Sequence, residues 1–278
     1  MTPKIITTQV GTIEFCLVGT GIPLLFVHGG HSNAQETLFH KGFNTKQFCL
    51  ITPSRPGYGN TPLGTFFSPP DAAKLLVSLL DDLQINKVIV IGISAGGLTA
   101  ITLSANYPDR VSKLILISAV TKKWLIATDP IYRKGKKIFS PAVEKYSWAL
   151  FRFFYAVFPA LMAKTMFREL SSVRPAAIRK EEISELQTII KEQRSYCGFI
   201  NDLDQVIAES DIIKVKCPTL ILHSLNDNAV PIEHAQHAEQ KIKNAILKTY
   251  NNQWGHLLWL GKESFLPIKD TLNFIANN

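Results

Sequence analysis

A serine flanked by glycine two residues to either side, in Gly92-Ile93-Ser94-Ala95-Gly96-Gly97, follows the apolar run 87–91 directly and precedes a helical pattern directly. G-x-S-x-G in that context reads as a nucleophile on a sharp strand-to-helix turn. The strained backbone of such a turn needs neighbours with almost no side chain, and Gly92 and Gly96 meet that demand. The turn lifts the Ser94 hydroxyl out of the sheet and sets it at a helix N-terminus, where the backbone N–H of Ala95 can point at a developing oxyanion. A serine hydroxyl attacks well only when a base takes its proton, and the base needs a carboxylate to fix its tautomer. Seven histidines compete for the first role. His256 follows the last expected strand in Gln253-Trp254-Gly255-His256, and Asp227 lies just past the run 219–223, in Asn226-Asp227-Asn228-Ala229-Val230-Pro231. Both fall in loops after strands, where catalytic groups gather in parallel sheets. The expected catalytic set is Ser94, Asp227 and His256, in that chain order.

The elements able to bring these groups together alternate along the chain. Runs of strand length occur at 4–9, 12–18, 23–27, 47–52, 87–91, 113–118, 219–223 and 246–250, the first two separated by Val10-Gly11 as an edge hairpin. Helical patterns with apolar positions three and four apart fill 72–83, 97–106, 233–243 and 268–276. Strand then helix, repeated, is the signature of a mainly parallel sheet covered on both faces, an α/β fold. Asp71, Asp81 and Asp82 read as helix N-cap and surface acids. After Ser118 the rhythm breaks: for about a hundred residues the chain is helical, basic and aromatic, with Trp148, Phe151, Phe153, Phe154, Tyr155, Phe158 and Phe167 crowded together. The stretch 148–163, interrupted by Arg152 and Pro159, is too short for a membrane span. It reads as a helical cap, 121–213, inserted into a core made of 1–120 and 214–278. Trp148, Phe154 and Phe158 are the candidate substrate contacts in it, beside the alternative that the aromatic stripe is simply core.

Composition bounds the function. With 278 residues, 46% of them hydrophobic, the chain can bury a large core as one domain with an insertion. The first ten residues carry no signal-peptide or membrane run, so a cytoplasmic protein is expected. Cys16, Cys49, Cys197 and Cys217 lie far apart with no C-x-x-C pair and read as small buried hydrophobes. The net charge of +8 is uneven: 121–180 holds thirteen Lys or Arg against three acids, leaving 17 against 19 elsewhere. That basic segment reads first as a solvated surface and second as a membrane-surface or anionic-substrate contact. No nucleic-acid fold pattern accompanies it, so no RNA or DNA partner is expected. His234 and His237 stand one helical turn apart, but no acid or cysteine completes a metal site, and neither metal nor cofactor is expected.

Taken together, His28-Gly29-Gly30, the Gly92 to Gly97 turn, Asp227 in D-x-x-V-P and Gly255-His256 resemble the α/β-hydrolase superfamily over nearly the whole chain. The Arg55-Pro56-Gly57-Tyr58-Gly59 loop also resembles the family's G-x-G turn. The resemblance implies an α/β-hydrolase fold, a mostly parallel eight-stranded sheet with helices on both faces and an inserted helical cap. It also implies an oxyanion hole of two backbone N–H groups, Gly30 and Ala95. His28 is expected to pack its loop and is a candidate substrate contact. Ser54, where many members carry an acid, and Ser224, where a glycine often stands, depart from the pattern. The implied activity is a serine hydrolase acting on a small-molecule carboxylic ester with an apolar acyl or alcohol part. The same triad could cleave a lactone, an amide or a carbon–carbon bond, and the scaffold could serve as a ligand receptor with little turnover. Dehalogenation is disfavoured, since Ser94 stands where that chemistry uses an aspartate.

Overall fold

The apolar runs pair side by side in one eight-stranded sheet. In the computed structural model, which describes residues 2–174 and 177–277, β1 (Lys4–Thr7) and β2 (Thr12–Val18) form an antiparallel hairpin at one edge. Residues 1, 175–176 and 278, which fall within the expected core and cap ranges, lie outside the described residues. β2 pairs antiparallel with β4 (Phe48–Pro53); the remaining neighbours are parallel, in the order β4, β3 (Ile22–Val27), β5 (Val88–Ile93), β6 (Val111–Ile117), β7 (Thr219–Ser224) and β8 (Ala245–Tyr250). A central parallel strand is covered on both faces, and β5 accordingly reads Val-Ile-Val-Ile-Gly-Ile with every residue buried.

Alternation of side chains along each strand sorts the apolar residues into two cores. Leu25, Val27, Val88, Val90, Leu114 and Leu116 cluster with buried residues of α1 (Pro69–Asp82), α2 (Gly97–Asn106) and α9 (Glu233–Lys241). Leu24, Phe26, Ile89, Ile91, Ile115 and Ile117 cluster on the other side with α10 (Phe265–Ala276). Each such side chain contributes about 1.5–3 kcal/mol by leaving water. The N-cap of α1 is Ser68; Asp71, expected as a cap, is instead its reciprocal partner three residues on, because Ser68-Pro69-Pro70-Asp71 closes a capping box.

Between β6 and β7 the chain runs through α3 (Pro130–Ile138), α4 (Glu144–Val157), α5 (Pro159–Leu170), α6 (Lys180–Glu192), α7 (Gly198–Asp202) and α8 (Glu209–Ile212). Tyr155, Ala163, Phe167, Leu186 and Ile190 from these helices join the core that holds Leu220, Leu222 and Trp254. The insertion is therefore welded to the sheet through shared apolar burial. Ile212 of α8 joins the opposite core, on the side of α2. The four cysteines are free; Cys16 is buried, whereas Cys49, Cys197 and Cys217 are only half-buried. Among the described residues, no helix is long and apolar enough to cross a membrane.

Candidate active site

β5 delivers Ser94 to a single 3-10 turn, Ser94–Gly96, that runs straight into α2. The backbone of Ser94 has φ 50°, the left-handed region that costs a residue with a Cβ roughly 1–2 kcal/mol. Neighbouring glycines make the turn possible by closeness. A Cβ on Gly92 would stand 2.5 Å from that of Ala100, and one on Gly96 would stand 2.2 Å from the Val27 carbonyl oxygen and 2.5 Å from that of His28. Gly96→Ala should therefore destabilise the fold by about 1–3 kcal/mol, since backbone and not a movable side chain must give way. Urea unfolding checks this; an unchanged midpoint at constant slope would show that the turn has slack.

His256 and Asp227 arrive on the loops after β8 and β7. The ring Nδ1 of His256 donates to Asp227 Oδ2 at 2.8 Å, since a carboxylate can only accept. That leaves Nε2 to accept from the Ser94 hydroxyl at 3.0 Å. Asp227 Oδ1 is held by the N–H groups of Ala229 and Val230, both at 2.9 Å. Burial pushes the Asp227 carboxyl up, but the charge and hydrogen bond of His256, with His223 and the Val230 N–H, hold it below its ordinary value. His223 lies fully buried beside this carboxylate, its Nε2 3.5 Å from Oδ2, while the same nitrogen donates to the Val230 carbonyl at 2.9 Å. The three residues expected from sequence as a catalytic set form one hydrogen-bonded chain, Asp227 to His256 to Ser94.

The inserted helices reach these loops directly. The Leu170 carbonyl at the end of α5 accepts from the His256 N–H at 3.0 Å and from the Asn228 N–H at 3.3 Å, and Ser171 bridges to Asp227. Gly255, at φ 52°, has no room for a side chain: a Cβ there would stand 2.5 Å from the carbonyl oxygens of both Leu170 and Asn226. The glycine before His256 thus lets three backbones meet. Nothing around Leu170 signals this role in the sequence.

The His28-Gly29-Gly30 loop lies against Ser94: a Cβ on Gly29 would stand 3.0 Å from the Ser94 Cβ. His28 is fully buried, donating from Nδ1 to the Gly29 carbonyl at 2.7 Å and accepting at Nε2 from the Arg55 N–H at 2.9 Å. With both ring nitrogens engaged, His28 packs the loop and is corrected as a candidate substrate contact. Arg55 holds the same loop through the His28 carbonyl at 2.7 Å and the Gly29 carbonyl at 3.2 Å, and its other face forms a bidentate pair with Asp202 of α7, both bonds at 2.7 Å. Tyr58 donates to the same carboxylate at 2.5 Å. Burial would pull Arg55 down, yet the Asp202 charge lifts it above its ordinary value. The Ser54 departure is compensated in space: its hydroxyl donates to Glu14 on β2 at 2.6 Å and accepts from the Ala34 N–H at 2.9 Å.

Aromatic rings gather where this loop meets the insertion. His31, at φ 64°, stacks on Phe199 with centroids 3.9 Å apart and shares the Ser195 hydroxyl with the Trp148 indole N–H, each at 2.7 Å. Phe139 and Trp124 complete the cluster. Trp148 is thus buried beside the loop, while Phe154 and Phe158 carry 39% and 52% exposure on the outer side of the insertion. His234 and His237 bond Thr121 from α9. Burial lowers His31 from its ordinary 6.5 to about 3 and His40 to about 4, with His234 likewise at about 4. Below about pH 6.5 the unfolded chain takes up protons at these rings while the folded protein does not. Their stabilising contribution is therefore complete above that pH and falls as pH drops towards about 3–4, by up to about 1.4 kcal/mol per pH unit for each ring. Urea midpoints should be lower at about pH 5 than at about pH 7.5, by a margin that shrinks in His31→Gln; equal midpoints would refute this.

The fold and the arrangement at Ser94 define an α/β hydrolase, and residues 22–262 match the alpha/beta hydrolase fold family, to which the chain belongs. It is 41% identical over 265 residues, 93% of each chain, to the uncharacterized hydrolase YcgS of Bacillus subtilis (strain 168). It is 23% identical to a 2-hydroxy-6-oxo-2,4-heptadienoate hydrolase of Pseudomonas putida, across 86% of this chain and 84% of that one. In structure it is similar to a thermophilic esterase from Thermogutta terrifontis, with a TM-score of 0.75 over 99% and 98% of the two chains at 20% identity, a likeness of fold.

Proposed function

We propose that this chain is a serine hydrolase that cleaves a carboxylic ester with an apolar acyl or alcohol part, through an acyl-enzyme on Ser94. The observation that carries the reading is the continuous relay from Asp227 through His256 to Ser94, at 2.8 and 3.0 Å. Ser94 Oγ attacks the ester carbonyl as His256 Nε2 takes its proton, and the backbone N–H groups of Gly30 and Ala95 hold the oxyanion. The imidazolium, stabilised by Asp227, hands that proton to the departing alkoxide. Water then enters, His256 deprotonates it, and the acid leaves Ser94 restored. In this reading 121–213 is a cap over a core of 1–120 and 214–278, and no cofactor takes part. Trp148 lies buried against His31 in an aromatic cluster whose Phe199 packs on Gly30, and these rings favour an apolar group there.

A second reading has one observation in its favour. The Pseudomonas putida relative is a 2-hydroxy-6-oxo-2,4-heptadienoate hydrolase, which keeps hydrolysis of a carbon–carbon bond beside a ketone in play. A panel of p-nitrophenyl esters of increasing acyl length, run beside a lactone, an anilide and a 2-hydroxy-6-oxodienoate, separates the two. Turnover greatest on an ester supports the proposal. Turnover confined to the dienoate overturns it, and labelling of Ser94 by a fluorophosphonate with no turnover at all would favour a receptor.

A further inference from the structure

Helices α4 and α5 meet at Phe158, where Pro159 cannot extend α4 and the backbone turns at φ −128°, ψ 59°. One face of this hairpin is welded to the sheet through Tyr155, Ala163 and Phe167, all buried. The opposite face is equally apolar and faces water. Tyr146, Leu150, Phe153, Val157 and Leu161 are 71, 57, 61, 50 and 61% exposed. The spacing of three and four places Tyr146, Leu150, Phe153 and Val157 on a single stripe of α4, and Leu161 is exposed on α5 just past the turn. A contiguous apolar face of this kind on a soluble fold marks a surface that meets something other than water.

Charge says what it meets. The charged residues of α4 and α5 are Lys145, Arg152, Lys164 and Arg168 against two acids, Glu144, which is buried and paired with Arg194, and Glu169, which pairs with Lys134; Lys145, Lys164 and Arg168 are exposed. Two copies of this face would bury the stripe but bring cations against cations. An anionic lipid surface satisfies both features, taking the apolar rings at the acyl boundary and the cations at the headgroups. No described helix is long and apolar enough to cross a membrane, so the contact is one of lying on the surface. We propose that the α4–α5 face docks this protein on anionic lipid bilayers. The proposal stands apart from the choice of substrate and needs no catalytic group.

Co-sedimentation of the full chain with vesicles of phosphatidylcholine alone, and of phosphatidylcholine and phosphatidylserine in equal parts, tests it. Wild type should pellet with the mixed vesicles, and rising salt should release it. Two triple variants alter only exposed positions: Leu150→Ser with Phe153→Ser and Leu161→Ser, and Lys145→Glu with Lys164→Glu and Arg168→Glu. Each should weaken binding to the mixed vesicles by about tenfold or more, while a urea midpoint matching wild type reports that the fold is intact. Wild type left in the supernatant with both vesicles, equal pelleting with both, or binding unchanged in either variant overturns the proposal. So does sedimentation equilibrium showing a dimer that the apolar variant dissolves, for the face would then be an interface between copies.

Discussion

Ser94→Ala is expected to fold as the parent does and to hydrolyse the best ester of the panel roughly 10⁴- to 10⁶-fold more slowly, with KM little changed. In the proposed reaction the hydroxyl is the atom that forms the new bond, and its loss leaves only binding and the oxyanion donors, whose residual effect is real but small. His256→Ala should cost a similar factor. The double variant should be no worse than either single one, because the two groups act in one proton transfer and are not independent contributors. A Ser94→Ala protein within about tenfold of wild type would mean that another nucleophile does the work. Stability gives a second readout at the same position. Alanine keeps the Cβ at φ 50°, so strain persists, whereas Ser94→Gly should raise the unfolding free energy by about 1 kcal/mol. A nucleophile that destabilises its own fold is the expected mark of a turn shaped for chemistry.

The second large effect lies away from the nucleophile. Arg55 and Asp202 are both 2% exposed as side chains, and each satisfies the other with two parallel hydrogen bonds. Asp202→Ala removes the counter-charge and leaves the guanidinium buried with carbonyl partners only. Breaking such a pair from one side typically costs about 3–5 kcal/mol, because a lone charge is then stranded in a low-dielectric interior. For a chain of this size that is a Tm loss on the order of 10 °C by calorimetry. Activity should fall further than the folded fraction does, since Arg55 also holds the carbonyls of His28 and Gly29, and with them the loop that carries the Gly30 N–H. A Tm within a degree or two of wild type would show that water enters and solvates Arg55. Arg55→Met with Asp202→Leu separates pairing from volume: it should recover stability, which the single variants lack, without recovering the loop's orientation.

Which residues were legible in the sequence follows from how far their signals travel along the chain. Ser94 could be read because strand, glycine, serine, glycine and helix lie within ten residues and state one geometry together. The strands could be read because a buried parallel strand is a run of β-branched residues whatever its neighbours, and the observed ends lie close to the expected ones. Asp227 and His256 could be read as the loop residues after two such strands, with Gly255 beside the second. Asp202, Ser195, Leu170 and Glu14 could not. Each acts on a partner between 40 and 164 residues away, through a contact that leaves no local pattern behind. His28 and the Phe154–Phe158 stretch show the converse: a histidine beside a nucleophile loop and a run of aromatics look alike in sequence whether they meet substrate, core or solvent.

The chain by itself therefore determined the order of its strands and helices, the turn on which Ser94 sits and the loops that carry Asp227 and His256. All of these rest on interactions spanning a few residues or on the period of burial. Only the tertiary structure decided how the loops are held and which aromatic face turns outward. A buried ion pair, a carbonyl that gathers two loops and an exposed apolar stripe are properties of packing, where residues distant along the chain share one volume and must satisfy one another's charge and hydrogen bonds.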